Sequence, residues 1–539
     1  MKAPQHPESI ESCYHLVAPT SRRQQAAAGH KVPLTPALSP REREQAAAVQ
    51  LAPEHGCRGT ACFAARHRHP ARWAKAERDK PRVYCMGRCY VAPATAGETA
   101  RPHVEVRSPQ AILLANLVDG GARQLDIYLA RGGYRGLERA LLRSRQEVVG
   151  EVLDSQLRGR GGAGFPSGVK MRAVAANPSP VKYVVANGDE GDPGSFTDRF
   201  LMEDDPFRLI EAMSIAGYAV GAAQGYIYLR CEYPEARAIL LEALSQARSR
   251  GFLGERVLSR DFSFDIQLVS GHGSYVCGEE TALLRSIEGR RPEVMPRPPF
   301  PTDKGLFGKP TLLLNIETLC NLPWILEHGG EAYCALGYNK SRGTKALSLP
   351  SLFRKPGIYE VEFGTTLATI VEEIGGGMAD GRLVGVMPAG PMGGIVPASL
   401  LATPLDFEAL RAVGGNLGHG GIVAIDEHTS IPQLVHHIFE FAADESCGKC
   451  TPCRVGSRRL ADALARALAD CSLSPGERVG VRGSPSSTDG GTHPVDRGQW
   501  KSIVEALAQT SLCGLGVGLS ELANSVNRYF QKEFSPCLS

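Results

Sequence analysis

Cys447, Cys450 and Cys453 stand two residues apart in the run Cys447-Gly-Lys-Cys450-Thr-Pro-Cys453, and Cys513 follows 60 positions later in Ser-Leu-Cys-Gly-Leu-Gly. Three clustered thiols and one distant thiol suit a cubane [4Fe-4S] cluster, whose irons each take one thiolate. Such a cluster passes single electrons, so the question is where electrons enter. A second group, Cys57-x4-Cys62 with Cys85-x3-Cys89, lies near the start of the chain. These two groups hold eight of the fifteen cysteines. In a reducing compartment, grouped cysteines read as metal ligands rather than disulfides. The scattered remainder read as small buried hydrophobes or incidental thiols.

Upstream of the C-terminal thiols, Arg158-Gly159-Arg160-Gly161-Gly162-Ala163-Gly164-Phe165-Pro166-Ser167-Gly168-Val169-Lys170 is glycine-dense. Glycines bring backbone amides close to a ligand, and amides with a basic side chain form an anion nest. Gly159, Gly161 and Gly164 match GxGxxG, but the preceding residues are polar and helical, so an ordinary Rossmann site is not expected. A structural glycine turn is the competing reading. Asn187-Gly-Asp189-Glu190-Gly-Asp192-Pro-Gly follows an apolar strand, where acids can bind ribose hydroxyls or form an acidic surface turn. Tyr275-Val-Cys-Gly278-Glu279-Glu280-Thr281 offers paired carboxylates for acid/base work or for capping the helix that follows. Spacing does not decide. Lys309 to Thr318 sets Asn315, Glu317 and Thr318 behind another apolar strand.

The elements that must position these residues alternate. Tyr183–Ala186 and Tyr226–Arg230 read as strands, Pro206–Ala222 and Pro234–Arg250 as helices, and 108–143 as helical with a break at Gly132-Gly-Tyr134. That alternation is an α/β layer. Between 345 and 397 the pattern changes to a small α+β module with strands near 355–361 and 383–387. From Ile431 onward it is helical, with 459–469 and 500–512 bracketing an irregular stretch. Residues 1–50 lack any sustained period and read as a disordered extension. Leu34–Glu44 and Leu473–Gly483 look like opposite orientations of one translated repeat element, and both are expected to be dispensable inserts, the second spanning about 474–497.

Bulk properties fit three or four domains in 539 residues. No run of 18 apolar residues predicts a membrane span. Met1-Lys-Ala-Pro-Gln-His-Pro lacks the apolar core of a signal peptide, so a cytoplasmic location is expected. The first 108 residues carry 17 Lys/Arg against 9 Asp/Glu, but no recognition motif accompanies the excess, and nucleic acid is not an expected partner.

The segments Arg158–Lys170, Asn187–Gly194, Tyr275–Thr281, Asn315–Thr318, Glu445–Arg454 and Cys513-Gly514 together resemble the NADH-binding flavoprotein subunit of respiratory complex I. Its relatives are the diaphorase subunits of NAD-linked formate dehydrogenases and hydrogenases. The likeness runs from about 104 to 535. It implies FMN, NAD(H) and one [4Fe-4S] cluster held by Cys447, Cys450, Cys453 and Cys513. It also implies a Rossmann-like FMN/NAD domain over 104–340, a ubiquitin-like (β-grasp) module over 341–425, and a helical iron–sulfur domain over 426–539. By motif, Gly159, Arg160, Gly161, Gly162, Ala163 and Gly164 serve phosphate binding beside Lys170, and Phe165 stacks near the nicotinamide or adenine. Asn187, Asp189 and Glu190 line the flavin; Glu279 and Glu280 meet the nucleotide and isoalloxazine region; Asn315 lies on the FMN phosphate side; and Tyr275, Gly278 and Thr318 are further cofactor-binding positions of the same motifs. Asp192 stands where complex I subunits often have Glu. The gap before Cys513 is longer than is usual in that family, in accord with an insert. Cys57, Cys62, Cys85 and Cys89 resemble the ligands of the thioredoxin-like [2Fe-2S] subunit, here in a shortened segment over 51–103. The expected function is a diaphorase subunit: hydride passes between NADH and FMN, and electrons pass singly to the cluster, with no protein nucleophile. The fused N-terminal segment favours a formate dehydrogenase or hydrogenase complex, whose iron–sulfur and catalytic subunits are the expected partners. The alternatives are the complex I subunit itself and a non-catalytic iron–sulfur scaffold.

Overall fold

The computed structural model describes residues 51–472 and 495–538. The extension 1–50, both repeat-like segments and most of the 474–497 insert lie outside the described residues. Between 51 and 102 the described chain contains short helices, Thr60–Ala64 and Pro70–Arg78 among them, and a single bridge between Gly56 and Thr95, but no strand. The thioredoxin-like expectation therefore meets a segment without a sheet of its own. It is held by docking instead: Phe63 stacks on His437 with ring centroids 4.4 Å apart, and Trp73 packs edge-on against Phe63.

The strand β1 (His103–Val106) opens the next region. A four-stranded parallel sheet follows, built from β2 (Tyr183–Gly188), β3 (Gln224–Leu229), β4 (Asp265–Ser270) and β5 (Thr311–Asn315) in the order β4-β3-β2-β5. Val184, Val185 and Ala186 are fully buried, as a strand covered on both faces requires. Helices Pro206–Val220 and Pro234–Ser249 supply the cover. Each begins with proline in the first turn, where the missing N–H costs nothing, and the first ends at Gly221 with φ 74°, a left-handed stop that glycine adopts freely. The expected α/β layer is thus present, and the Asn187, Tyr275 and Asn315 motifs follow the carboxyl ends of β2, β4 and β5, while the glycine loop lies between two helices.

The hairpin β6 (Gly337–Tyr338) and β7 (Ser341–Arg342) leads into β8 (Thr344–Leu349) and β9 (Gly357–Glu362). β8 and β9 are antiparallel, and β1 joins β9 in parallel. A strand from the start of the α/β region is therefore built into the sheet that follows it. β10 (Leu383–Pro391), β11 (Val396–Pro397) and β12 (Val423–Asp426) form a second small antiparallel sheet. Helices Ile431–Glu445, Arg458–Ser472, Arg497–Thr510 and Gly514–Tyr529 pack together at the C-terminal end.

Candidate active site

The glycine loop, the two acidic motifs and the fourth clustered cysteine meet in one cleft of about 770 Å³. Its floor is the carboxyl end of the parallel sheet, the usual ligand position in an open α/β fold. The loop runs into helix Ser167–Ala176. Gly162 and Gly164 take φ of 115° and 63°, and a Cβ at Gly164 would stand 2.8 Å from the Phe407 ring. The loop thus cannot keep this course with side chains, and its amides border the cleft. Phe165, half-exposed, stands at the rim.

Every residue expected to bind cofactor lines this cleft except Arg160 and Glu190. The Arg160 guanidinium is fully buried and turned into the protein, where it donates to Tyr333 Oη and to the Arg342 carbonyl, each at 2.7 Å. Burial of a charge demands such partners, so this arginine braces the loop rather than facing a ligand. Glu190 lies behind the wall: its carboxylate accepts from the Asp198 and Arg199 amides at 3.1 and 3.0 Å, at the start of helix Thr197–Asp204.

The remaining acids divide by role. Glu279 caps helix Glu280–Ile287, accepting from the Thr281 and Ala282 amides through Oε2. Its Oε1 is buried and makes no hydrogen bond, only a 3.8 Å ion pair with Arg297, and Asp189 Oδ2 is likewise buried without a hydrogen bond. Two shielded acceptors in the cleft lining fit a ligand that brings its own N–H or O–H donors. Burial pushes the Asp189 carboxyl well above its ordinary range. Glu280 is held below its ordinary value, because Lys170 at 2.8 Å and Arg297 at 2.6 Å outweigh its burial. Tyr275 donates its hydroxyl to Asp192 at 2.6 Å, and the Asn187 amide donates to the Gly278 carbonyl at 2.8 Å, joining the two acidic motifs. Asn315 accepts from the Thr318 amide at 3.1 Å as a helix cap, and Thr318 Oγ1 accepts from the Arg160 amide at 2.8 Å.

Motif reading missed His419 and Asp198. His419 sits in the wall with Nε2 2.9 Å from Asp198 and Nδ1 3.4 Å from Glu190, and the Asn315 amide 2.9 Å from Nε2. Burial lowers its pKa, but the two carboxylates outweigh that and carry it up to about 9. Burial and Asp198 raise Glu190 to about 7. The available signal was a lone histidine inside the glycine-dense run Gly414–Gly421.

Cys513 also lines the cleft. It stands at the N-terminus of helix Gly514–Tyr529, where free amides favour a negative sulfur. Burial nevertheless pushes its thiol up to about 11 and that of Cys453 to about 12, with the neighbouring cysteines of the set adding to both. A cation shared by these sulfurs removes that penalty, so the donor set fits an iron–sulfur cluster. Cys57, Cys62, Cys85 and Cys89 are all buried together. The Cys85 and Cys89 sulfurs are 3.6 Å apart, and Cys62 and Cys85 together with burial push the Cys57 thiol well above its ordinary value. Amides of Gly59, Gly87 and Ala94 point at Cys57, Cys85 and Cys62 over 3.4, 3.3 and 3.4 Å. Amide donors aimed at convergent sulfurs fit a small cluster as well.

Known proteins share these features. Residues 152–324 match the Nuo51 FMN-binding domain, and residues 433–474 match the NADH-ubiquinone oxidoreductase-F iron–sulfur binding region. The NADP-reducing hydrogenase subunit HndC of Solidesulfovibrio fructosivorans is 41% identical over 76% of this chain and 80% of its own length. The F 2 subunit of NADH-quinone oxidoreductase in Rhizobium meliloti is 38% identical over 78% of this chain and 96% of its own. In fold, a chain of an NAD+-reducing [NiFe]-hydrogenase in its H2-reduced state superposes with a TM-score of 0.72 at 25% identity, covering 90% of this chain and 84% of its own.

Proposed function

The chain belongs to the family of FMN-binding iron–sulfur flavoproteins that serve as subunits of NADH-quinone oxidoreductases and NAD(P)-reducing hydrogenases, and from that premise we propose how its own residues run a diaphorase. The observation that carries this reading is the shared cleft: the glycine loop and Cys513 border one cavity, so a nucleotide held by the loop and a cluster held through Cys513 would share it. FMN, when bound, supplies two-electron exchange with NAD(H) and one-electron exchange with the cluster.

The protein binds and orients. Amides of Gly161–Gly164 hold phosphate ahead of helix Ser167–Ala176, while those of Gly159 and Arg160 are spent on the Phe165 carbonyl and Thr318 Oγ1. Lys170, fixed by Glu280, adds a positive charge beside them. Asn187, Asp189, Asp192 and Tyr275 form the polar wall for the flavin ring, Glu279 accepts from ligand donors through Oε1, which makes no hydrogen bond within the protein, and Asn315 and Thr318 fix the far side. Phe165 closes the rim against water. Cys447, Cys450, Cys453 and Cys513 hold the [4Fe-4S] cluster at the exit. Cys57, Cys62, Cys85 and Cys89 hold a [2Fe-2S] cluster in what we regard as the remnant of a thioredoxin-like module over 51–103. The FMN/NAD region spans 104–340, a β-grasp module 341–425, and the iron–sulfur domain 426–539.

The parent assembly is read as a cytoplasmic hydrogenase- or formate-dehydrogenase-type complex, on the strength of the N-terminal cysteine set. The second reading is a complex I subunit, favoured by the near-complete coverage of the Rhizobium protein. No helix among the described residues is long and apolar enough to cross a membrane. NADH–ferricyanide turnover of the flavin-loaded chain tests the diaphorase assignment: activity is expected, and a chain that retains FMN without turnover overturns it in favour of a non-catalytic scaffold. Mass spectrometry of co-purifying subunits separates the two assemblies.

A further inference from the structure

We propose that His67, Asp380 and His428 form a site for a divalent transition ion of the zinc class, with the buried Asp426 carboxylate beside His67. The ligands come from three separate segments. His67 lies in the turn after helix Thr60–Ala64, Asp380 precedes β10, and His428 follows β12. One donor atom of each lies within 4.8 Å of the others.

Two orphaned atoms point to a missing cation. His67 Nε2 is 3.9 Å from Asp380 Oδ2 and 3.4 Å from Asp426 Oδ2, yet neither His67 Nε2 nor Asp426 Oδ2 makes a hydrogen bond. Asp426 is fully buried, and only its other oxygen is served, by Thr429 Oγ1 at 2.8 Å. Leaving a buried carboxylate oxygen without a donor is costly. The two separations from His67 Nε2, 3.9 Å to Asp380 and 3.4 Å to Asp426, approach the edge of about 3.4 Å that bonds of about 2.0–2.2 Å impose on a tetrahedral zinc site. The two imidazoles lie 4.8 Å apart, centroid to centroid. Room for His428 is made by Gly381, where a Cβ would stand 3.1 Å from the ring. Two imidazoles with carboxylates are zinc-type donors rather than magnesium- or calcium-type ones. Bound there, the ion fastens the segment carrying Cys57–Cys89 to the sheet formed by β10 and β12.

The test uses the flavin- and cluster-loaded protein, washed with chelator under conditions that leave its EPR signals intact, then titrated with Zn2+ by calorimetry and with Co2+ by absorbance. One equivalent of Zn2+ is expected to bind, and His428→Gln and Asp380→Asn, both at solvent-accessible positions, are each expected to weaken it by at least about tenfold. Unchanged EPR signals in the variants show that they fold. Co2+ is expected to give visible d–d bands without thiolate charge-transfer bands. Absence of Zn2+ binding, equal binding by both variants, or thiolate bands from the added Co2+ would overturn the site and leave a plain histidine–aspartate ion pair.

Discussion

The two cysteine sites differ in nearly everything except their ligand chemistry. The C-terminal thiols announce themselves through local spacing, yet three of them, Cys447, Cys450 and Cys513, are only partly buried. The N-terminal thiols have a looser signature, yet all four are buried and three receive backbone amides. Partial exposure and access to the cleft go with the C-terminal set, while burial goes with a site sealed in protein. Both meet at helix Ile431–Glu445. Its last turn leads into Cys447, and its side chains Glu440 and Asp444 bind Arg58, Arg82 and Tyr84 of the N-terminal segment at 2.7–3.2 Å. The lesson is that the strength of a sequence signature reports how local the ligands are, not how completely the site is built.

Removing one ligand from each site is the strongest way to break the comparison. Cys513→Ala is expected to abolish the [4Fe-4S] EPR signal while FMN stays bound, since the glycine loop and the acidic wall remain; an unchanged signal rules Cys513 out as a ligand. Cys89→Ala is expected to remove the [2Fe-2S] signal and leave the [4Fe-4S] signal in place. If instead the iron content of the wild-type chain never exceeds one cubane, the buried set is a remnant without a cluster. A milder test leaves the sequence alone: under chelator and air, the partly exposed C-terminal cluster is expected to decay several-fold faster than the sealed N-terminal one, followed by EPR, and equal decay would mean that burial does not protect it.

Much of the site was legible because its parts are local motifs tied to sheet ends. The loop Arg158–Lys170, the acids after β2 and the carboxylates before helix Glu280–Ile287 are each contiguous, and the apolar runs before Asn187 and Asn315 gave the strands away. Arg160 was misread because its side chain finds partners more than 170 residues distant, Tyr333 and Arg342, which no local pattern reveals. Asp198 and His419 are hidden for the same reason, as is the placing of Glu190 behind the wall: their meaning is a buried charge arrangement between the α/β layer and the turn before β12. The pairing of β1 with β9 joins segments some 250 residues apart, and hydrophobic period carries no information on partner choice.

His419 gives an intermediate effect, at the boundary between the cleft and its support. Its folded pKa of about 9 lies above the ordinary 6.5, so its contribution is fully present below pH 6.5 and is lost as pH rises through 9. That contribution is on the order of 3 kcal/mol. The wild-type melting temperature is therefore expected to fall between pH 6.5 and 9, and His419→Gln is expected to lack that slope. A variant that kept the slope would assign it to another group.

The smallest expected effect probes the seam between the two cysteine regions. Tyr84 donates to Asp444 Oδ2 at 2.7 Å, but Asp444 keeps Arg82 at 2.8 Å and Arg458 at 2.7 Å. Tyr84→Phe therefore removes one hydrogen bond without stranding the carboxylate, a loss of about 1 kcal/mol. That corresponds to roughly a fivefold rise in the cleavage rate of residues 51–100 under limited proteolysis, with both EPR signals unchanged. Loss of the [4Fe-4S] signal in this variant would have a different meaning. Asp444 lies three residues before Cys447, so the signal could fail only if docking of the N-terminal segment sets the position of the C-terminal ligands. The two sites would then be one folding unit, and their contrast in exposure would be a property of a single structure rather than of two independent ones.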